Sequence, residues 1–177
     1  FAPTGFFLIA RAAAASASLA ALYLLARGER SADRSRWPYG AMALAFSPLL
    51  VDLAHWAKPD SLMILFITGA WVCALRFQSG RDRGWLYGAG VLVGAACSTQ
   101  YTAAPAVLLV PLAWLLRDGG PPPVSWLLKA AAAAAAAFCA GSPFIAVDFG
   151  RFLADWNDYA DLGRLRAHDS AAMVKVV

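Results

Sequence analysis

The chain has 177 residues, of which 60% are apolar and only 15% are charged, whereas about a quarter of the residues in an average soluble domain carry a charge. Fifteen lysines and arginines against eleven aspartates and glutamates give a net charge of +4, and the mean hydropathy is +0.57. These values argue against a disordered chain, a nucleic-acid-binding protein and a soluble globule. The composition therefore predicts a membrane protein.

The chain begins with Phe1 instead of a start methionine, and neither terminus carries an evident cap. We expect residues 1–177 to be a single transmembrane domain that forms a fragment of a longer protein. The cysteines lie more than twenty residues apart in apolar runs, which fits packing residues better than zinc ligands or a disulfide framework. They are Cys73, Cys97 and Cys139.

Five stretches without a charged residue run through the chain, and each charge at the bilayer centre would cost about 3 kcal/mol. They are 12–26, 37–51, 61–75, 84–116 and 130–147. Four are shorter than the ~20 residues of a span, but snorkelling charges at their ends extend them. The extended spans are Gly5–Ala26, Trp37–Trp56, Ser61–Phe77 and Ser125–Val147. Soluble core helices are the alternative, but those would be amphipathic, and these stretches are apolar all round.

The stretch 84–116 is too long for one crossing, since 33 residues would run about 50 Å as an α-helix against a hydrocarbon core of about 30 Å. We predict a short helical hairpin whose tip is the polar segment 98–102, followed by Pro105, because its side chains can satisfy broken backbone hydrogen bonds. The fold class is then an all-α, polytopic transmembrane bundle of about six spans.

The loops support this count through their charges. The basic loops 27–36, 76–83 and 117–123 are the first, third and fifth connections, so six spans place all of them on one face, which the positive-inside rule makes cytoplasmic. A single crossing at 84–116 would put the Arg117 loop on the opposite face. After Asp148 the sequence becomes amphipathic, and we predict an interfacial helix on the non-cytoplasmic surface.

Four ionisable residues crowd the non-cytoplasmic face between the second and third spans, and they are Asp52, His55, Lys58 and Asp60. Asp60 is either a site residue or a carboxylate that stabilises a helix N-terminus. His55 and Lys58 carry the groups that phosphate recognition needs, although a snorkelling anchor also explains Lys58.

Three further polar residues allow two interpretations each. Arg11 lies about 24 Å along the helix from Arg27 and is either a snorkelling residue or a contact for an anionic lipid headgroup. Gln100 and Tyr101 at the hairpin tip are either turn residues or the lining of a pocket.

The order of several short motifs resembles the membrane region of GT-C glycosyltransferases, in the family that includes protein O-mannosyltransferases and lipid A aminoarabinose transferases. The motifs are RAAAASASLAALYLLAR, SPLLVDLAHWAKPDSLMILF, GAACSTQYTAAPAVLLVPLAWLL and GSPFIAVDFGRFLADW. The resemblance covers residues 3–160 and is strongest at AKPD, QYTA and SPF.

The resemblance implies an integral membrane enzyme that transfers a sugar from a polyprenyl-phosphate carrier to an extracytoplasmic lipid, glycan or protein acceptor. The expected location is a bacterial inner membrane. Asp60 and Lys58 match the family motif that borders the active-site cavity, and His55, Gln100 and Tyr101 complete the expected lining. Gln100 stands where relatives often carry lysine.

The resemblance places the catalytic carboxylate upstream of Phe1, so we expect the catalytic residue to lie outside this chain and the fragment to be inactive alone. Arg11 and Lys58 are the candidates for binding the carrier phosphate. No cofactor is required, and one histidine beside two carboxylates is too little to define a metal site, although some relatives bind divalent metals. A secondary transporter with interrupted helices and a non-catalytic membrane scaffold remain the alternatives.

Overall fold

The computed structural model describes residues 3–32, 39–48, 59–80, 82–151, 153–154 and 157, and these residues form helices and turns without a strand. The helices in chain order are α1 (Pro3–Ala32), α2 (Tyr39–Ala45), α3 (Asp60–Gln78), α4 (Gly84–Thr99), a 3-10 helix (Tyr101–Leu108), α5 (Leu109–Leu115), α6 (Val124–Gly141) and α7 (Pro143–Val147). The chain divides into two units, 1–141 and 142–177. The predicted all-α class is confirmed.

Within the described residues, three helices are long and apolar enough to cross a membrane: Gly5–Gly28, Asp60–Gln78 and Val124–Gly141. The first two agree closely with the predicted spans. The last ends at Gly141, six residues before the predicted end, because Pro143 lacks an N–H and disfavours helical backbone at Ser142, where φ is −130° and ψ is 62°. Of the predicted span Trp37–Trp56, residues 39–48 are described, and α2 ends within them at Ala45.

The direction of each helix follows from the residues in contact. Leu24 lies against Gly69 and Val72 lies against Gly28, so α1 and α3 run parallel. Gly69 also faces Leu92, and Gly88 faces Cys73, so α4 runs antiparallel to α3. Helix α6 is parallel to α4, because Gly90 and Gly94 of α4 meet Ala130 and Ala134 of α6 in the same order.

The predicted hairpin at 84–116 is confirmed. Helix α4 ends at Thr99, Gln100 is extended, and the chain returns through the 3-10 helix and α5. The return is complete at Asp118, whose N–H donates to the Gln78 carbonyl at 2.9 Å, beside the start of α4. We call the end of the bundle where α3 ends and α4 begins the basic end. The opposite end, where α4 ends and α3 begins, is the tip end.

The second arm of the hairpin differs from the α-helix expected. Pro105 lies inside the 3-10 helix and has no N–H to donate to an α-helical hydrogen bond. The 3-10 form rises about 2.0 Å per residue, so residues 101–115 span about 26 Å instead of the ~22 Å of an α-helix. The arm thereby approaches the thickness of the hydrocarbon core with only 15 residues.

The core of the first unit is made mostly of small residues. Phe77, Leu86 and Val93 are fully buried, and alanines fill the space around them. Between membrane helices there is no hydrophobic drive to associate, so close backbone contact through glycine and alanine supplies the dispersion energy. A Cβ added at Gly90 or Gly94 would overlap a backbone carbonyl of α6, so α4 and α6 approach closely at these two glycines.

In the second unit, the Asp148 carboxylate accepts a hydrogen bond from the Arg151 N–H at 3.2 Å, which is the arrangement of a helix N-cap. The described residues that follow, 149–151, 153–154 and 157, are helical. A helix is therefore present where one was predicted, its interfacial position stays a prediction, and the remainder of the segment lies outside the described residues.

Candidate active site

Asp60 is the first residue of α3, and Pro59 before it has φ −69° and ψ −11°. The Pro59 carbonyl accepts hydrogen bonds from the N–H groups of Leu62 and Met63 at 3.0 and 3.1 Å. Asp60 is partly exposed and lies at the N-terminal, positive end of the α3 dipole. Ser61, by contrast, is fully buried.

The hairpin tip meets the first turn of α3. The Thr102 hydroxyl donates to the Met63 sulfur at 3.5 Å, and Met63 lies one helical turn after Asp60. Two segments separated by about forty residues of sequence therefore lie together at the tip end. Two of the motifs singled out from the sequence, at Asp60 and at Gln100, belong to these segments.

Gln100 uses both of its backbone groups within the tip. Its N–H donates to the Ala96 carbonyl at 3.0 Å, and its own carbonyl accepts from the Ala103 N–H at 3.1 Å. Its side-chain Oε1 is buried and has no hydrogen-bond partner within the described part of the chain. A buried amide oxygen is costly to leave unpaired, so this atom suits a hydrogen-bonding ligand group.

The residues on either side of Gln100, Thr99 and Tyr101, do not share its buried, unpaired environment. The Thr99 hydroxyl donates its hydrogen to the Ala95 carbonyl at 2.9 Å, an i to i−4 bond within the helix. Tyr101 is 44% exposed, so it does not belong to the buried core of the bundle.

Arg11 is exposed on α1 and lies at the tip end. The register of α1 against α3, set by Leu24 beside Gly69, puts residue 15 level with Asp60 and Arg11 about 6 Å beyond it. His55 and Lys58, like Asp52, lie outside the described residues, so their place in the site stays a prediction.

The basic end carries an arrangement that the sequence reasoning missed. The Arg117 guanidinium lies over the Phe77 ring at 4.5 Å and the Trp126 ring at 5.5 Å, and the Arg76 guanidinium lies over the Trp85 ring at 4.5 Å. The sequence pattern identifies these arginines only as loop charges that orient the bundle. The signal that could have found them is the tryptophan that follows each basic loop within a few residues.

Within the described residues, no group of three or more histidine, cysteine or acidic side chains is placed to hold a metal ion. The three cysteines are free thiols, with Cys73 and Cys97 partly buried and Cys139 exposed. Cys73 packs against Gly88 across the α3–α4 contact, which agrees with its predicted role as a small packing residue.

These features define an integral membrane helical bundle in which the polar hairpin tip contacts the first turn of α3, the turn that begins with Asp60. The family model for dolichyl-phosphate-mannose-protein mannosyltransferases matches residues 6–147, and the chain belongs to that family. The resemblance to GT-C enzymes noted in the sequence is thereby confirmed, and the family is one of membrane glycosyltransferases of the mannosyltransferase type. No curated protein and no solved structure matches the chain.

Proposed function

We propose that the protein transfers a sugar from a polyprenyl-phosphate carrier to a lipid, glycan or protein acceptor at the tip end of the bundle. The observation that carries the proposal is the meeting of the Asp60 turn with the hairpin tip, in a chain whose family match spans both segments. A lipid-linked sugar donor reaches such a site from the membrane interface, with its isoprenoid chain in the bilayer and its phosphate at the headgroup level.

The proposed reaction is a single displacement. The acceptor hydroxyl oxygen forms a bond to the anomeric carbon, and the bond from that carbon to the phosphate oxygen breaks, so the electron pair leaves with polyprenyl phosphate. The hydroxyl proton passes to a general base, which in this proposal lies outside the chain. Cationic groups near the headgroup level stabilise the departing phosphate, and our candidates are Arg11, His55 and Lys58.

We further propose that the basic end faces the cytoplasm of a bacterial cell and the tip end faces the extracytoplasmic side. Arg27, Arg76 and Arg117 belong to the basic end, which fits the positive-inside rule. Within α3 the described charges, Asp60 and Arg76, stand at or near the two ends of the helix, and α4 has none. A transporter would hold polar groups near the bilayer midplane, so this distribution favours the transferase.

The proposal is tested by incubating membranes that contain the full-length protein with labelled polyprenyl-phosphate sugars and following label in an endogenous acceptor. Transfer from a polyprenyl-phosphate sugar, and none from a nucleotide sugar, is the expected result. Membranes without the protein are the control. Absence of transfer with every lipid-linked donor would overturn the proposal and leave the transporter and scaffold alternatives.

Neutralising the candidate phosphate contacts is expected to raise the concentration of carrier lipid needed for half-maximal transfer. Each of Arg11→Gln and Lys58→Gln removes a charge-assisted contact, so we expect an increase of about tenfold. The matched control is Arg27→Gln, on the same helix as Arg11 but at the basic end. An unchanged lipid requirement in both test variants would contradict the assignment.

A further inference from the structure

Four side-chain polar atoms among the described residues are buried and have no hydrogen-bond partner, and three of them lie at the basic end. These three are Arg76 Nε, Tyr87 Oη and Arg117 Nη1. They belong to the last turn of α3, the first turn of α4 and the residues just after α5. All three can donate a hydrogen bond, so this end of the bundle lacks acceptors.

Arg117 is the best defined of the three. Its guanidinium carbon lies 4.5 Å from the centre of the Phe77 ring and 5.5 Å from that of the Trp126 ring, and Nη2 donates to the Gly80 carbonyl at 3.4 Å. Stacking on aromatic faces stabilises the cation but satisfies none of its N–H groups. Since a guanidinium is not deprotonated in proteins, Nη1 remains a charged donor in need of an acceptor.

Nearby carboxylates do not supply that acceptor. The Asp82 carboxylate accepts the Gly84 N–H at 3.2 Å at the start of α4. Asp118 is exposed, and its backbone N–H is bonded to the Gln78 carbonyl. Neither side chain is a hydrogen-bond partner of Arg117 Nη1 or Arg76 Nε among the described residues.

The tryptophans around these donors indicate that the donors lie at the membrane–water interface. Trp85, Trp114 and Trp126 all lie at the basic end, and the Trp114 indole N–H donates to the Pro122 carbonyl at 3.0 Å. Tryptophans concentrate at the membrane–water interface, which is the level of the phospholipid headgroups. Phospholipid headgroups supply phosphate oxygens as hydrogen-bond acceptors at this level.

We propose that the basic end binds the phosphate of an acidic phospholipid, with Arg117 as the main contact and Arg76 and Tyr87 as further donors. Guanidinium groups pair well with phosphate oxygens, and the clustered positive charge favours acidic over zwitterionic headgroups. The site lies at the opposite end of the bundle from the proposed sugar-transfer site and does not depend on it.

The test measures lipid binding to the full-length protein in non-ionic detergent by native mass spectrometry and by thermal unfolding. The probes are phosphatidylglycerol, phosphatidylcholine and inorganic phosphate. We expect phosphatidylglycerol to remain bound and to raise the unfolding midpoint, and phosphatidylcholine and inorganic phosphate to do neither. Arg117→Gln is expected to weaken phosphatidylglycerol binding about tenfold.

The matched control is Arg83→Gln, which removes the same charge from an exposed position at the same end. Equal weakening in both variants would overturn the proposal in favour of diffuse surface attraction, and equal binding of both lipids would overturn it as well. An equal response to inorganic phosphate would show a free-anion site instead. Should Arg117→Gln fail to fold, Tyr87→Phe removes only a hydroxyl, and unchanged lipid binding in that variant would count against the proposal.

Discussion

Gly94→Ala is expected to lower the free energy of unfolding by about 1–3 kcal/mol. A Cβ at this position would lie 2.8 Å from the carbonyl carbon of Ala134 and 3.0 Å from its Cα. These atoms belong to the backbone of α6, so the overlap is relieved only if the two helices move apart. Separation would weaken the dispersion contacts that hold α4 to α6. The measurement is denaturant-induced unfolding of the full-length protein in detergent micelles.

The matched control is Gly88→Ala, in the same helix and six residues earlier. The nearest atom to a Cβ at Gly88 is the Cys73 sulfur at 3.6 Å, an ordinary van der Waals contact. Because alanine is about 0.5–1 kcal/mol better than glycine inside a helix, this variant is expected to be as stable as wild type or slightly more so. Equal stability of the two variants would contradict the close contact between α4 and α6.

Asp60→Asn in the full-length protein is expected to reduce sugar transfer at least about a hundredfold, with normal accumulation in the membrane. The expectation rests on the proposed function, in which the Asp60 carboxylate borders the cavity beside the hairpin tip. The substitution keeps the shape of the side chain and removes its charge. The measurement is the rate of transfer from a lipid-linked sugar, normalised to the amount of protein.

The alternative role of Asp60 is to stabilise the start of α3, where a carboxylate is worth about 0.3–1 kcal/mol. In that case Asp60→Asn would lower the unfolding midpoint slightly and leave the transfer rate per molecule unchanged. Asp118→Asn, an exposed carboxylate at the basic end, is the control for charge removal and is expected to transfer normally. Equal transfer by wild type and both variants would reduce Asp60 to a helix-stabilising residue.

The sequence predicted the class and much of the topology because the bilayer imposes one-dimensional rules. A charge within a span is costly, so charge-free stretches indicate helices, and the length of 84–116 allowed only a turn within it. The expected tip at 98–102 agrees with the extended backbone of Gln100. These inferences need only composition, length and the position of charges along the chain.

The type and the end of each helix were harder to predict from the sequence. The second arm of the hairpin is partly a 3-10 helix, and the last long helix stops at Gly141. Both departures occur at prolines, Pro105 and Pro143, whose effect on the backbone is known but whose outcome depends on what the neighbouring helices tolerate. Hydropathy alone does not distinguish a proline that bends a helix from one that ends it.

By itself, the sequence determined that the protein is a helical membrane protein with a hairpin. It also singled out two short motifs, one at Asp60 and one at Gln100. Only the tertiary structure decided which of these segments meet, since the contact of Thr102 with Met63 joins residues far apart along the chain. It also decided that the basic-end arginines stack on aromatic rings instead of pointing freely into solvent. The physical reason is that hydropathy depends on each residue alone, whereas contacts depend on the register of one helix against another, which close packing of small residues sets in three dimensions.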